Sequence, residues 1–281
     1  MNAELLENRN DFLPHDRVKG DVIMTEFEQE VVSRVKANKE NRPLLDAGRD
    51  FLRASTVPKY CYNYFWLGRP IIQYPQDMVA VQELIWSVKP DLIIETGIAH
   101  GGSLILSASL LALLDYAEAV ETGGVLDPAF PKRKVLGIDI DIREHNRNAI
   151  EAHPMSSRIM MIQGSSIEKD IIDQVREIAS EYSRILVCLD SMHTHDHVLA
   201  ELDAYAPLTS VGSYCIVFDT IIEDFSSDMY PDRPWGPGNS PKSAVREYLA
   251  RNSEFVIDDA IENKLVITVA SGGYLKRVGA E

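Results

Sequence analysis

Four acidic residues, Glu95, Asp139, Asp190 and Asp219, close the short apolar runs DLIIE, RKVLGIDI, SRILVCLD and GSYCIVFD or stand one residue from their ends. A carboxylate so placed can hold a cation or accept hydrogen bonds from hydroxyls. The first of them opens the turn Glu95-Thr96-Gly97-Ile98-Ala99-His100-Gly101-Gly102-Ser103, whose glycines let the backbone come close to a ligand. This turn has neither the G-x-G-x-x-G spacing of a dinucleotide site nor the G-x-x-x-x-G-K-[ST] of a phosphate loop, and it carries a negative charge. Phosphate is therefore disfavoured there and a cationic ligand suits it. The sulfonium and ammonium of S-adenosylmethionine fit. Asp139, roughly forty residues further on at the next strand end, is placed to accept hydrogen bonds from two ribose hydroxyls.

The elements that must carry these residues alternate. A helical segment VAVQELIWSV precedes the DLIIE strand; LILSASLLALLD, REHNRNAIEAH, IEKDIIDQVREIASEY and HDHVLAELDAYAPL then read as helices between the strands RKVLGIDI, RIMMIQG, SRILVCLD and GSYCIVFD. Short apolar strands alternating with helices pair in parallel with both faces covered, which predicts a doubly wound, Rossmann-like α/β sheet. In such a sheet ligands bind outside the carboxyl ends of the strands, where the four acids lie. After Asp219 a helix SAVREYLA is followed by FVID and KLVITVA, read as an antiparallel hairpin at the sheet edge. The segment 222–241, with Tyr230, Trp235 and four prolines, is long enough for a lid over an acceptor. Residues 1–70 read as a helical cap or oligomerisation arm, with roughly helical spacing over 25–40, and residues 71–281 as the cofactor-binding domain.

Composition narrows the partners. The 281 residues carry 28 Lys+Arg against 43 Asp+Glu, a formal charge of −15. So acidic a surface repels nucleic acid and anionic lipid, which leaves a small molecule as the expected partner. No run approaches the ~18 uninterrupted apolar residues of a membrane span, and the first thirty residues are too polar for a signal peptide, so the expected setting is cytoplasmic. Cys61, Cys188 and Cys215 form neither a disulfide framework nor a CxxC knuckle.

The cluster His193, His195 and His197 beside Asp190 and Asp196 has two metal readings that the spacing disfavours. A zinc H-E-x-x-H motif lacks its glutamate, and no histidine is followed two residues later by Asp or Glu, as the usual local form of an iron hydroxylase set requires. His195 and His197 are better placed as groups at a helix start or behind the site. His100, within the glycine turn, either touches the cofactor or caps the helix. Two further readings stay open: an NAD-dependent oxidoreductase, against which the missing dinucleotide motif counts, and a non-catalytic cofactor-binding partner subunit.

The segments ETGIAHGGS, LGRPIIQYPQDM, LDSMHTHDHVLAEL and SGGYLKRV resemble the cephalosporin hydroxylase-like family over roughly residues 60–278. That family resembles S-adenosylmethionine-dependent methyltransferases in fold, with a cofactor turn and magnesium site similar to those of catechol-type O-methyltransferases. The resemblance implies a cofactor turn built on Glu95, Gly97 and Gly101, with Ser103 on the methionine carboxylate, Asp139 on the ribose and Ser165 or Ser166 near the adenine. It implies Asp190 as a magnesium ligand close to the cofactor, Asp219 as a second ligand, and His193 as the general base at a position where catechol-type enzymes hold a lysine. One departure stands out: Phe218-Asp219-Thr220 occupies a place where the family pattern has two adjacent acidic or amide residues. Thr220, or Glu223 and Asp224 if the loop folds back, is then the candidate for the missing ligand. Magnesium tolerates few carboxylates because it keeps several waters. The implied activity is magnesium-assisted methyl transfer to a hydroxyl of a small natural-product or glycosyl acceptor, and a homo-oligomer is the expected assembly.

Overall fold

The computed structural model describes residues 24–279. The N-terminal helices are α1 (Glu26–Asn38) and α2 (Arg42–Thr56). Thr25 starts α1 with a reciprocal capping box to Glu28, and Asn41 caps α2 through the Leu44 amide. A hairpin of β1 (Tyr64–Trp66) and β2 (Arg69–Ile71) follows, then α3 (Pro75–Val88). The central run is β3 (Leu92–Thr96), α4 (Gly102–Thr122), β4 (Lys134–Asp139), α5 (Glu144–Glu151), β5 (Ile159–Gln163) and α6 (Lys169–Ala179). It continues through β6 (Ile185–Leu189), α7 (His195–Tyr205), β7 (Tyr214–Val217), α8 (Pro241–Arg251), β8 (Phe255–Ile257), α9 (Asp259–Leu265) and β9 (Tyr274–Arg277).

The main sheet runs β5-β4-β3-β6-β7-β9-β8, parallel from β5 to β7 and antiparallel at β9 and β8. All residues of β3 and β6 are buried, as a parallel strand covered on both faces requires. One apolar layer packs α3 and α4 on the sheet through Leu84, Ile93, Leu111 and Ile216; the other packs α6, α7 and α8 through Ile94, Val175, Leu202 and Val245. The chain runs outward from β3 to β4 and β5, then crosses back to place β6 on the other flank of β3. This reversal opens a crevice between the carboxyl ends of β3 and β6, where ligands bind in such sheets. It brings Glu95, near the end of β3, and Asp190, just past the end of β6, to the same crevice.

The last hairpin corrects the sequence expectation. KLVITVA is not a strand: α9 ends at Leu265, Val266 turns with φ 62°, and residues 266–273 form a loop before β9 over YLKR. The loop satisfies its backbone with side chains instead of a neighbouring strand, since the Val269 amide donates to Asp77 Oδ2 and the Ala270 amide to Thr268 Oγ1. β9 then pairs with both β7 and β8.

The described part of the N-terminal segment packs on this domain. Lys39 pairs with Asp259 of α9 at 2.5 Å, and Leu52 and Tyr74 form a small cluster with Ile221 and Phe225. The remainder of the expected arm lies outside the described residues. By length and composition α4 could cross a membrane; half of its most apolar stretch is buried inside the fold, where it serves as a core helix.

Candidate active site

A cavity of about 570 Å³ opens at the carboxyl ends of β3, β6 and β7. Its first wall is the glycine turn. Gly97 adopts φ +89°, and a Cβ there would lie 2.1 Å from the Asp190 carbonyl oxygen, so the turn and the end of β6 touch through bare backbone. Gly101, left-handed at φ 81°, begins α4. Asp139 lies behind the turn: its Oδ2 accepts from the Ile98 amide at 2.8 Å and the Ala99 amide at 3.2 Å, and its Oδ1 from the Asp141 amide at 3.0 Å. Arg69, on β2, holds the other side, donating to the His100 carbonyl and, at 3.0 Å, to Asn146 Oδ1. Such fixing gives a glycine-rich loop one shape before any ligand arrives.

Glu95 is fully buried at the base of this turn, and the Ser103 hydroxyl donates to its Oε1. Burial pushes the carboxyl up to about 7, with the Ser103 hydrogen bond opposing. Asp190 is held well above the usual carboxylate range by burial and by the neighbouring charges of Asp219, Glu95 and Glu201. Three carboxylates repelling a fourth make a site that gains from a cation. Gln73 Nε2 donates to Asp190 Oδ2 at 3.2 Å, while its own Oε1 is buried without a partner. Gln73 is one of the residues that line the cavity.

Asp219 stands in the left-handed region at φ 54°, two residues past the end of β7. The next residues pin it: Thr220 Oγ1 donates to the Ser271 carbonyl at 2.8 Å and the Ile221 amide to the Val269 carbonyl at 3.1 Å. His193 Nε2 lies 3.1 Å from Asp219 Oδ2, and the Trp235 ring meets the imidazole edge-on at 4.8 Å. Ligand atoms of Asp190, His193 and Asp219 all lie within 4.8 Å of one another. Thr220, Glu223 and Asp224, the candidates for a third ligand, are used elsewhere. The Thr220 hydroxyl is spent on backbone, Glu223 binds Ser240 and Arg246, and Asp224 pairs with Lys242. Phe218 is buried in the core. The third group beside the two carboxylates is His193.

Ser166 is not in the cavity wall. Its hydroxyl donates to Glu201 Oε1 at 2.6 Å, as the Ser191 hydroxyl does at 2.7 Å, with His197 Nε2 within 3.2 Å of both serine oxygens. This buried network braces the loops after β5 and β6. His195 lies at the start of α7 and joins it to α8 through Ser243 at 2.8 Å and Glu247 at 3.2 Å. His100 lines the cavity and does not cap the helix; Gly101 is the cap residue. Sequence reasoning missed Gln73, although it lies within a quoted segment, because an amide in an apolar stretch carries no spacing signal. It also missed Arg69 and the wall supplied by the N-terminal cap, including Tyr62.

A sheet of this order, with acids gathered beside a glycine turn at the switch point, defines the class of α/β S-adenosylmethionine-dependent methyltransferases. The family described as rhamnosyl O-methyltransferase/CmcI matches residues 58–278, and the chain belongs to it. The rhamnosyl O-methyltransferase of Mycobacterium bovis (strain BCG / Pasteur 1173P2) is 30% identical over 207 residues, 72% of this chain and 73% of the relative. The rhamnosyl O-methyltransferase of Mycobacterium leprae (strain TN) is 27% identical over 231 residues, 80% of this chain and 90% of that one. In fold, the chain is similar to a solved CmcI structure with Mg-SAM, at a TM-score of 0.51 and 20% identity over 78% of each chain. The protein is an S-adenosylmethionine-dependent O-methyltransferase.

Proposed function

We propose that this enzyme transfers a methyl group from S-adenosylmethionine to a hydroxyl of a small glycosyl or natural-product acceptor, with magnesium at Asp190 and Asp219. One observation carries the reading: Asp190, His193 and Asp219 converge within 4.8 Å in the wall of a single cavity that also includes the glycine turn. The donor set fits the ion, since magnesium needs one or two carboxylates and keeps its waters. When bound, the metal makes a coordinated hydroxyl more acidic and fixes its orientation, and the cofactor brings a methyl group already activated by the sulfonium.

The remaining work belongs to the chain. His193 takes the acceptor proton at a ring nitrogen, because a neutral imidazole has one nitrogen with a free lone pair. Asp219 and Trp235 hold that ring in place. The Gly97 approach lets the cofactor lie against backbone, Gly101 opens the helix beside it, and Glu95 with Ser103 forms the acidic end for the methionine moiety. Asp139 shapes the turn through Ile98 and Ala99 and keeps capacity to accept from the ribose. Ser166 acts through the loop it braces, next to the adenine. The 222–241 segment serves as the lid, the N-terminal helices as a cap and assembly arm of a homo-oligomer, and the setting is cytoplasmic.

Calorimetric titration with S-adenosylmethionine, with and without magnesium, and a screen of hydroxylated acceptors for methyl incorporation test the reading. Asp190→Ala is expected to abolish metal-dependent turnover with the circular dichroism spectrum unchanged. Full turnover in that variant refutes the site.

A further inference from the structure

The cavity also carries two positive charges that the magnesium and the donor sulfonium would repel. Among the described residues, Lys59 and Arg233 are the lysine and arginine in its lining, and neither stands in an ion pair. They come from segments far apart in sequence. Lys59 lies at the end of the N-terminal cap in the left-handed conformation, φ 56° and ψ 46°, and Arg233 in the 222–241 loop. Each lies over an aromatic face: the Lys59 ammonium 5.6 Å from the Tyr62 ring centre, the Arg233 guanidinium 5.1 Å from that of Trp235. Tyr62 and Trp235, the rings under the two cations, both line this one cavity.

Such a pair works against the floor of the same cavity, where the acids favour cations. Two fixed positive charges weaken the binding of a sulfonium and a divalent ion unless an anion comes between them. In a chain of net charge −15, carboxylates are abundant, and Asp232 stands in the same lining, yet neither of these two cations is in an ion pair. A lysine point charge and an arginine fork, approaching from opposite segments, suit a doubly charged phosphate.

The geometry points to a phosphate-bearing acceptor: Lys59 and Arg233 bind the phosphate ester of a sugar at the cavity rim while a free hydroxyl of that sugar reaches Asp190, His193 and Asp219. This rests on the methyltransferase reading of the cavity and names its substrate class. Trp235 links the two ends, because it contacts Arg233 on one side and His193 on the other.

Calorimetry on the full chain in EDTA, so that phosphate cannot act by chelating metal, tests the rim directly. Glucose 1-phosphate is compared with methyl glucoside and with glucuronate, and uridine diphosphate glucose is added as the nucleotide-linked form. The expected result is that glucose 1-phosphate binds at least about tenfold more tightly than either comparator. The double variant Lys59→Gln with Arg233→Gln loses that preference, and raising salt from about 50 to about 500 mM weakens it. Both side chains are exposed, so the fold tolerates the change; Arg233→Lys restores part of the affinity. Tighter binding of the uridine form identifies a nucleotide-linked acceptor and equal binding a simple sugar phosphate, each in support. Three results overturn the proposal: no preference over methyl glucoside, glucuronate binding as well as the phosphate, or an affinity unchanged in the double variant. A double variant that loses S-adenosylmethionine instead assigns the cations to the donor and overturns it too. Failure of the wild-type chain to bind S-adenosylmethionine strikes the methyltransferase reading, while the glucose 1-phosphate comparison still decides the rim.

Discussion

Replacing Gly97 by alanine probes the contact on which the site is built. Gly97 sits at φ +89°, and its Cβ would lie 2.1 Å from the Asp190 carbonyl oxygen and 2.7 Å from the Asp190 carbonyl carbon. Two costs therefore add. An L-residue in the left-handed region costs ~1–2 kcal/mol. Overpacking against backbone that must shift costs a further ~1–3 kcal/mol. Gly68 separates them, because it has φ +86° with nothing within 4 Å of its Cβ position. Gly68→Ala should show only the conformational cost. In urea, with a slope of about 3 kcal/mol/M, an extra ~2 kcal/mol lowers the midpoint of Gly97→Ala below that of Gly68→Ala by about 0.7 M. The same shift moves the Asp190 backbone, so Gly97→Ala should also weaken S-adenosylmethionine binding and turnover while Gly68→Ala leaves both intact. Equal midpoints for the two variants would show that the turn and the end of β6 are not in backbone contact, and the account of the cofactor wall would fail.

Other outcomes follow from single residues. His193→Ala should lower methyl incorporation by about 10²–10⁴-fold with S-adenosylmethionine affinity nearly unchanged, a smaller loss than for Asp190→Ala; the reverse order would remove the base from its role. Burial raises the Glu95 carboxyl from 4.5 to about 7, so between those values the folded chain keeps a proton that the unfolded chain has lost. Stability therefore falls as pH rises through that window, and Glu95→Gln should gain on wild type between about pH 5 and about pH 8. Equal urea midpoint differences at the two pH values would contradict it. Asp77 is buried and accepts from Thr268, the Val269 amide and Tyr274. Asp77→Ala leaves those donors unpaired, a loss of roughly 2–5 kcal/mol readable by thermal unfolding, and loosens the segment that pins Thr220 and Ile221. A melting temperature equal to wild type would refute that role.

Much of the molecule is legible from residue order. The alternation of buried strands with helices specifies a parallel sheet, because only strands covered on both faces read as unbroken apolar runs. The acids at the ends of those runs, and the glycine turn without a phosphate signature, point to the crevice and to a cationic ligand. KLVITVA misleads because it is a short apolar run rich in β-branched residues, as a buried strand is. What overrides that pattern is Asp77, which reaches it from α3 and takes the amide that a neighbouring strand would have used. Local periodicity holds no trace of such a distant partner.

The site divides in the same way. Asp190 and Asp219 are recognisable by type and by their positions at strand ends, which converge in any doubly wound sheet, and His193 through the resemblance to the catechol-type site. Folding decided the rest: that His193, and not Thr220, stands beside the two carboxylates, that Ser166 turns inward to Glu201, and that Gln73 donates to Asp190 while its own acceptor is buried without a partner. Each of these depends on side-chain direction and on competition among hydrogen-bond partners brought together from distant parts of the chain. Spacing along the sequence encodes which face a residue lies on; which neighbour claims its polar atoms is settled only when the elements pack.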